Sequence, residues 1–223
     1  MINSLKSLKE LVFTKVCISC CEPQFWLCPS CLSGWNSSVK KSLVSGKPLY
    51  FQSDYSKKTA SVILAAKEGN DLNAIKLLAS AISQSIEFSL LDLRLTGVIT
   101  LITIPSSPAA IRRRGGDHIK TLAEFVQRDL NRKSITADYA PILFQKKSIR
   151  DQSQLSGQQR VENTKGKFAV KSCEIPQGAV YLIDDLITTG ASIVEGVRAL
   201  SEAKITTLAC ATACAVGRIS LIP

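Results

Sequence analysis

The chain has 223 residues, of which 45% are apolar and 21% charged, and it carries a formal net charge of +10 at pH 7. This ordinary globular composition predicts one medium-sized domain with a small appendage. No apolar run reaches the ~20 residues of a membrane helix, and the N-terminal MINSLKSLKELVF lacks the apolar core and cleavage site of a secretory signal, so we expect a cytoplasmic protein without membrane insertion.

Five of the eight cysteines lie in the stretch CISCCEPQFWLCPSC. In a reducing compartment such cysteines are typical of metal ligands or buried thiols rather than disulfides. Cys17 and Cys20 form one C-x-x-C pair and Cys28 and Cys31 another, and each two-residue spacer lets both sulfurs reach one ion at about 2.3 Å. The pattern predicts a structural Zn²⁺ site. A one-residue slip would make Cys21 a ligand; we prefer Cys20 because it completes the C-x-x-C pair.

The next residues predict where the zinc module ends. Trp26 and Trp35 are expected to cover the metal site, because so short a segment has little other core. Residues 36–49 are rich in serine and lysine, which is typical of a linker. We therefore divide the chain into a zinc-knuckle module (1–35), a linker (36–49) and a larger domain (50–223).

The larger domain alternates strand and helix patterns, which predicts an α/β fold with a mostly parallel sheet. The run TGVITLITIP is typical of a strand buried on both faces and stopped by Pro105. Asp117 is a candidate N-cap for the helix that follows. The predicted helices cover residues 73–86, 117–130 and about 191–203, and the later strands cover 179–183 and 205–214.

A polar stretch separates the two halves of this domain. Residues 145–166 show almost no apolar periodicity, and such long loops in compact domains are usually functional or disordered. The stretch lies within the segment from Arg112 to Lys171, which has 14 lysines and arginines against 6 aspartates and glutamates. A solvated basic surface would explain this excess, and so would attraction of phosphorylated metabolites or nucleic acid.

The segment VYLIDDLITTGAS, residues 180–192, places two carboxylates at the end of a buried strand. Ligands of parallel α/β sheets bind beyond the carboxyl ends of the strands, where Asp184 and Asp185 are predicted to lie. Thr188 to Ser192 then offer hydroxyls, amides and the positive end of a helix, which suit a phosphate. Carboxylates beside an anion-binding turn fit a sugar phosphate. The chain has neither G-x-x-x-x-G-K-[ST] nor G-x-G-x-x-G, which disfavours nucleotide-triphosphatase and dinucleotide-binding folds.

VYLIDDLITTGAS resembles the motif with which type I phosphoribosyltransferases bind phosphoribosyl pyrophosphate (PRPP). The order of a cysteine-rich knuckle, IPSS, RRRGGDH, the loop RDQSQLSGQQRVEN and this motif is similar to the ComF family of competence protein F and the GntX proteins. The resemblance covers nearly the whole chain. It implies a type I phosphoribosyltransferase fold behind a four-cysteine zinc module. It also implies transfer of a phosphoribosyl group from PRPP, with Mg²⁺, to a small-molecule acceptor.

The resemblance also implies residue roles. Asp184 and Asp185 would bind the ribose hydroxyls, one of them through Mg²⁺, and Arg114 would act with them in catalysis. Long-loop residues would close over the site, and Lys67 matches a family lysine without a derived role. The implied PRPP-binding residues are Ile104, Pro105, Ser106 and Ser107 around the pyrophosphate, Thr188, Thr189, Gly190, Ala191 and Ser192 around the 5-phosphate, and Arg150, Gln152, Gln154, Arg160 and Asn163 in the loop.

The chain departs from this family at one motif. Where many relatives read Arg-Gly-Phe-Asn-Gln, residues 114–118 read Arg-Gly-Gly-Asp-His. His118 is the one histidine, and a lone histidine at a helix start is more often a surface or capping residue than a general base.

A second hypothesis is an accessory DNA-uptake role, in which the basic segment and zinc knuckle contact single-stranded DNA or competence proteins. The PRPP pocket would then be a sensor or a relic. Single-strand binders interleave aromatic and basic residues. The aromatic residues between Arg112 and Lys171 are few and scattered, which weakens that hypothesis.

Overall fold

Helices and strands alternate along the chain in the computed structural model, which describes residues 15–146, 166–171 and 176–217. In chain order the elements are helix α1 (Pro29–Leu32), a 3-10 turn (Ser33–Trp35), strands β1 (Lys40–Val44) and β2 (Lys47–Asp54), helices α2 (Lys57–Gly69) and α3 (Leu72–Asp92), strand β3 (Ile99–Thr103), helices α4 (Pro108–Arg114) and α5 (His118–Arg132), strands β4 (Ala137–Tyr139), β5 (Leu143–Gln145), β6 (Phe168–Val170) and β7 (Ala179–Ile187), helix α6 (Ala191–Glu202) and strand β8 (Thr207–Ala215).

The central sheet has six strands in the order β1-β2-β8-β7-β3-β4. Its neighbouring strands are parallel except β1 and β2, which pair antiparallel. Strands β5 and β6 form a separate two-stranded antiparallel sheet. The predicted α/β class with a mostly parallel sheet is therefore confirmed.

Residues 36–49 differ from the linker expected there. They contain β1 and the start of β2, joined by a tight turn in which Ser45 and Gly46 have φ of 51° and 68°. Two left-handed residues in succession suit the twist of a hairpin. Val44 and Leu49 are fully buried, whereas the lysines of β1 lie on the edge strand, where charge blocks further pairing. The serine- and lysine-rich composition thus reflects an edge position within the fold.

The two faces of the sheet carry separate cores. Tyr181 and Ile183 of β7 pack in one core with residues of α3 and α5. Val180 and Leu182 of the same strand pack in the other core with residues of α6. This alternation follows from the strand geometry, in which successive side chains point to opposite faces. It also decides where the two acidic side chains further along β7 can point.

Helix α3 is the longest helix of the described chain, with 21 residues. It begins at Asp71, whose carboxylate accepts hydrogen bonds from the backbone N–H groups of Asn73 and Ala74 at 2.8 and 3.0 Å. By length and composition alone this helix could cross a membrane, but 56% of its apolar window is buried, and it packs against α5, β2 and β8. Core helices of globular proteins also meet these criteria of length and composition, and α3 is such a core helix here.

Candidate functional site

Strand β7 runs through the two aspartates instead of ending before them. On the β3 side its pairing stops at Ile183, whose carbonyl accepts from the N–H of Ile104 at 3.0 Å. On the β8 side the ladder continues to Ile187. Asp184 and Asp185 therefore extend past the end of β3 but remain in the sheet. Because successive strand residues alternate, their side chains lie on opposite faces.

Asp184 faces a cavity of about 240 Å³ beyond the end of β3. A smaller cavity of about 40 Å³ adjoins it, lined by Leu186 to Ile193 together with Asp184. Asp184 and Ser192 line both cavities and so stand between them. The larger cavity is lined by Lys67, Ile104, Pro105, Ser106, Ser107, Ala110, Arg114, His118, Ile119, Gln145, Lys167, Phe168, Asp184 and Ser192.

The smaller cavity lies at the start of α6. Gly190 occupies the N-cap position with φ of 75°, and none of the described side chains caps this helix. The N–H of Ala191 makes one long contact, 3.4 Å, to Thr189 Oγ1. The first-turn N–H groups of α6 are therefore available to an anion, and the helix dipole favours one there.

The opposite wall of the larger cavity is the connection between β3 and α4. Ile104 to Ser107 follow β3 directly, and Ser107 caps α4 by accepting from the N–H of Ala110 at 3.1 Å. Pro108 at the first helical position suits that start because it has no N–H to satisfy. The connection is thus held in one conformation between a buried strand and a capped helix.

Asp185 lies on the other face and is 1% exposed. Its Oδ2 atom is 3.0 Å from His118 Nε2 and 3.4 Å from Lys67 Nζ. Burial opposes ionisation of Asp185, but His118 and Lys67 outweigh that effect and lower its pKa. Burial and the charge of Asp185 raise the pKa of Asp184. The two aspartates thus have different environments, although the sequence resemblance implied similar roles.

His118 is the clearest site residue that sequence reasoning missed. It begins α5 and is 3% exposed, so it is not the surface residue expected there. Asp117 occupies the predicted N-cap position, but its side chain makes no capping hydrogen bond. Only the tertiary packing of α5 against β7 brings His118 to Asp185. No local pattern could have found that contact.

Arg114 lines the cavity from the end of α4. Its guanidinium donates to Glu68 Oε1 from Nη2 at 2.7 Å and from Nε at 3.1 Å. The hydrogen bond from Arg114 lowers the pKa of Glu68. Asn70 Nδ2 donates to the Arg114 carbonyl at 2.8 Å. The last turn of α2 and Asn70, which follows it, thus hold Arg114 at the cavity. The same turn of α2 also supplies Lys67, whose position the sequence alone did not explain.

The ends of the long polar loop also border the cavity. Gln145 of β5 and Lys167, just before β6, line it, and the N–H of Lys146 donates to the carbonyl of Lys167 at 2.8 Å. Phe168 is tied to α6 because its N–H donates to Glu195 Oε1 at 3.1 Å. The predicted loop residues Arg150, Gln152, Gln154, Arg160 and Asn163 lie outside the described residues.

The N-terminal cysteines converge as their spacing predicts. The Sγ atoms of Cys17, Cys20, Cys28 and Cys31 all lie within 4.8 Å of one another, and those of Cys20 and Cys28 are 3.5 Å apart. Four sulfurs at 2.3 Å from a tetrahedral Zn²⁺ would be about 3.8 Å apart, so this cluster could hold such an ion. Cys21 is exposed and lies outside the cluster, with φ of 65°. Burial alone would raise the pKa of Cys17, but N–H donors led by that of Cys28 lower it to about 6.

The two tryptophans do not cover this cluster as expected. Leu27 packs against the buried cysteines, whereas Trp35 is buried in the core shared with α3 and α5. Trp26 packs against the same core and donates from Nε1 to Asp71 Oδ2 at 3.0 Å. The aromatic residues therefore attach the module to the α/β core, because this larger apolar surface is available to them.

Comparison with known proteins gives a distant structural likeness. No protein-family model matches the chain, and no curated protein sequence matches it significantly. The fold is similar to that of adenine phosphoribosyl transferase from Trypanosoma brucei, solved in complex with AMP, pyrophosphate and ribose-5-phosphate. The match has 11% sequence identity and a TM-score of 0.42, and it covers 80% of this chain and 86% of that chain. A likeness this distant assigns no ligand here, so the site must be judged by its own residues.

Proposed function

We propose that the chain binds PRPP with Mg²⁺ and transfers its phosphoribosyl group to an acceptor, with release of pyrophosphate. The observation that carries this proposal is the position of Asp184 between two anion-binding surfaces. One surface is the α6 start, and the other is the 104–107 connection with Arg114. PRPP has the matching order of groups, with ribose hydroxyls between a 5-phosphate and a pyrophosphate.

The charge of the larger cavity supports a polyanionic ligand. Lys67, Arg114 and Lys167 line it, against the single carboxylate of Asp184 among the described lining residues. Burial lowers the pKa of Lys167, a cost that an anionic ligand would offset. A neutral sugar would not offset this cost.

Each part of the site has a distinct role in this proposal. Asp184 accepts hydrogen bonds from the ribose hydroxyls, and the Thr188–Ser192 turn donates to the 5-phosphate. The 104–107 connection and Arg114 hold the pyrophosphate. Asp185 does not line the cavity; it holds His118 and Lys67 in place. This division revises the equal roles that the family resemblance implied.

The reaction proposed is displacement of pyrophosphate at the anomeric carbon. Negative charge grows on the leaving group as the bond breaks, and groups already aimed at that charge can lower the barrier by several kcal/mol. Arg114 is held by Glu68 at the cavity and needs little reorientation. Mg²⁺, when bound, supplies further charge neutralisation at the phosphates. Its ligands would be PRPP oxygens, with Asp184 the one protein carboxylate in the described lining.

Isothermal titration of the protein with PRPP and Mg²⁺ tests this proposal. We expect Asp184→Ala to weaken binding at least tenfold, because a hydrogen bond to a charged group contributes about 1.5–3 kcal/mol. Asp138→Ala, an exposed aspartate of β4, is the matched control and should bind as the wild type does. Wild-type protein without affinity for PRPP, or an Asp184 variant with full affinity, would contradict the proposal.

We also propose that the cysteine cluster binds Zn²⁺ in a structural role. Four thiolates complete a tetrahedral shell and leave no position for a substrate. The cluster is attached to the core through Trp26 and Asp71, so its metal stabilises the N-terminal module against the α/β domain. Metal analysis of the purified protein should find one zinc per chain.

A second candidate function, binding of single-stranded DNA, is favoured by one groove between α3 and α5. Its volume is about 490 Å³, and its lining includes Lys76, Phe125, Arg128 and Arg132 together with one carboxylate, that of Asp129. Lys76 and Arg128 lie 5.6 and 5.0 Å from the centre of the Phe125 ring. Since these cations already cover the ring, the groove suits phosphates better than stacked bases. Fluorescence anisotropy with labelled oligo(dT) should show binding that an Arg128→Ala/Arg132→Ala variant loses.

A further inference from the structure

The imidazole of His118 lies at the cavity with one nitrogen already occupied. Its Nε2 atom is 3.0 Å from the buried Asp185 carboxylate. Its Nδ1 atom is buried and has no hydrogen-bond partner among the described residues. A buried polar atom without a partner is costly, and native proteins rarely keep one without a function. The side chain is 3% exposed and lines the cavity assigned above to PRPP.

The surroundings of His118 determine which nitrogen carries the proton. An ionised carboxylate can only accept, so Nε2 must donate its N–H to Asp185. A second proton on Nδ1 would have no acceptor among the described residues, and it would put a positive charge at the start of α5, where the helix dipole opposes it. With Nε2 donating to Asp185, Nδ1 is the imidazole nitrogen that remains to accept a proton. A carboxylate that fixes the tautomer in this way also fixes the orientation of the ring.

We propose that His118 is the general base of this site and that its Nδ1 takes a proton from the attacking acceptor. The inference rests on the proposed phosphoribosyl transfer. It also names the class of acceptor: a molecule that attacks through an N–H or O–H group and must lose that proton. In the step, the acceptor's lone pair forms the bond to the anomeric carbon, the bond to pyrophosphate breaks with its electron pair on the leaving group, and the acceptor's proton passes to Nδ1.

Other groups near His118 are consistent with this assignment. Lys67 shares the Asp185 carboxylate with His118, at 3.4 Å from Oδ2, and helps to keep Asp185 ionised and accepting. Arg114 is turned to Glu68 and does not compete for the imidazole. Asp117 has a buried Oδ1 atom that also lacks a partner among the described residues, one position before His118. Asp117 does not line the cavity, so this atom takes no part in the proposed step.

Nitrogen NMR tests the tautomer directly, because the chain contains a single histidine. Protein labelled with ¹⁵N-histidine gives signals from this imidazole alone. At pH 7.5 we expect a protonated Nε2 and an unprotonated Nδ1 whose signal shifts when PRPP and Mg²⁺ are added with ammonia. A proton on Nδ1 in the free protein would overturn the proposal, whatever the activity.

A kinetic comparison tests the base itself. In His118→Gln the amide can still donate to Asp185 but cannot take a proton, and Lys120→Gln places the same amide on the exposed side of α5 as the control. Pyrophosphate release from PRPP and Mg²⁺ is followed with water or ammonia as the nucleophile. General-base catalysis typically contributes about 10²–10⁴-fold, so we expect kcat of the His118 variant to fall by that factor. Its Kd for PRPP should stay within threefold of the wild-type value, and Lys120→Gln should match the wild type.

The outcomes separate this inference from the proposed function. If the wild-type protein does not bind PRPP, both the proposed function and the general-base assignment are wrong. If the wild type binds PRPP and His118→Gln releases pyrophosphate at the wild-type rate, the proposed function is retained. The assignment of His118 as general base is then wrong. The general-base assignment is also wrong if the wild type binds PRPP normally but releases no pyrophosphate with either water or ammonia.

Discussion

Replacing the two neighbouring aspartates one at a time by asparagine is expected to change stability in opposite directions. Burial and the charge of Asp185 raise the pKa of Asp184, so its ionisation at pH 7 opposes folding. Asp184→Asn removes that charge and should raise the free energy of unfolding. For Asp185 burial is outweighed by His118 and Lys67, which lower its pKa. Asp185→Asn should therefore lower the free energy of unfolding.

The magnitudes follow from the contacts. A hydrogen bond to a charged group contributes about 1.5–3 kcal/mol, and removing one partner of a buried pair costs more when the other cannot reach water. The Lys67 side chain is 37% exposed and can turn to solvent, but that of His118 is 4% exposed and cannot. We expect a loss of about 2–3 kcal/mol for Asp185→Asn and a gain for Asp184→Asn. For a chain of this size each kcal/mol shifts Tm by about 2–4 °C.

Urea unfolding followed by circular dichroism at several pH values is the assay. A carboxyl whose pKa is raised in the folded state destabilises the fold at pH values above its pKa in the unfolded chain, about 3.9. The gain in the free energy of unfolding from Asp184→Asn should therefore shrink as the pH falls toward 4. A lowered pKa stabilises above the unfolded value, so the loss from Asp185→Asn should persist at pH 5 and vanish only as the pH falls through the folded-state pKa. Asp138→Asn should change nothing. Shifts of the same sign for both variants would refute the assigned environments.

Three further outcomes are expected. Cys28→Ser should lose bound zinc in metal analysis while Cys21→Ser keeps it; full zinc in the Cys28 variant would remove that ligand from the site. Gly196→Val should cost about 1–3 kcal/mol in urea unfolding, because a Cβ at this position would lie 2.7 Å from the Ile104 side chain, and an unchanged midpoint would show that α6 can move away freely. Glu68→Gln should leave the fold intact in circular dichroism but weaken PRPP binding several-fold in calorimetry, because Arg114 loses its charged support; equal affinity would show that Arg114 needs none.

The sequence predicted the elements around the site well, because their patterns are local. The buried run before Pro105 became β3, and apolar residues at helical spacing became α3 and α5. The linker prediction failed for 36–49, because composition cannot distinguish an edge strand with one solvated face from an irregular segment. That distinction depends on a neighbouring strand that is distant in sequence.

Within the site, the sequence identified the residue types but not their partners. Asp184 and Asp185 have different environments because successive residues of a strand point to opposite faces of the sheet. The predicted strand ended at Ile183, so this alternation was not applied to the two aspartates. The burial of His118 depends on how α5 packs against β7, which no local pattern encodes. Lys67 likewise reaches Asp185 only because α2 ends beside that strand.

The connection between α2 and α3 has little tolerance for a change of length. In ordinary surface turns an inserted or deleted residue is usually accepted. Here Lys67, Glu68, Asn70 and Asp71 each have a different partner: Asp185, Arg114, the Arg114 carbonyl and Trp26. A residue inserted between Asn70 and Asp71 would shift Asp71 and its Trp26 contact relative to Lys67, Glu68 and Asn70, so the zinc module and the cavity could no longer both keep their contacts. Homologous chains that keep both features should therefore keep the length of this connection and the residue types that make these four contacts.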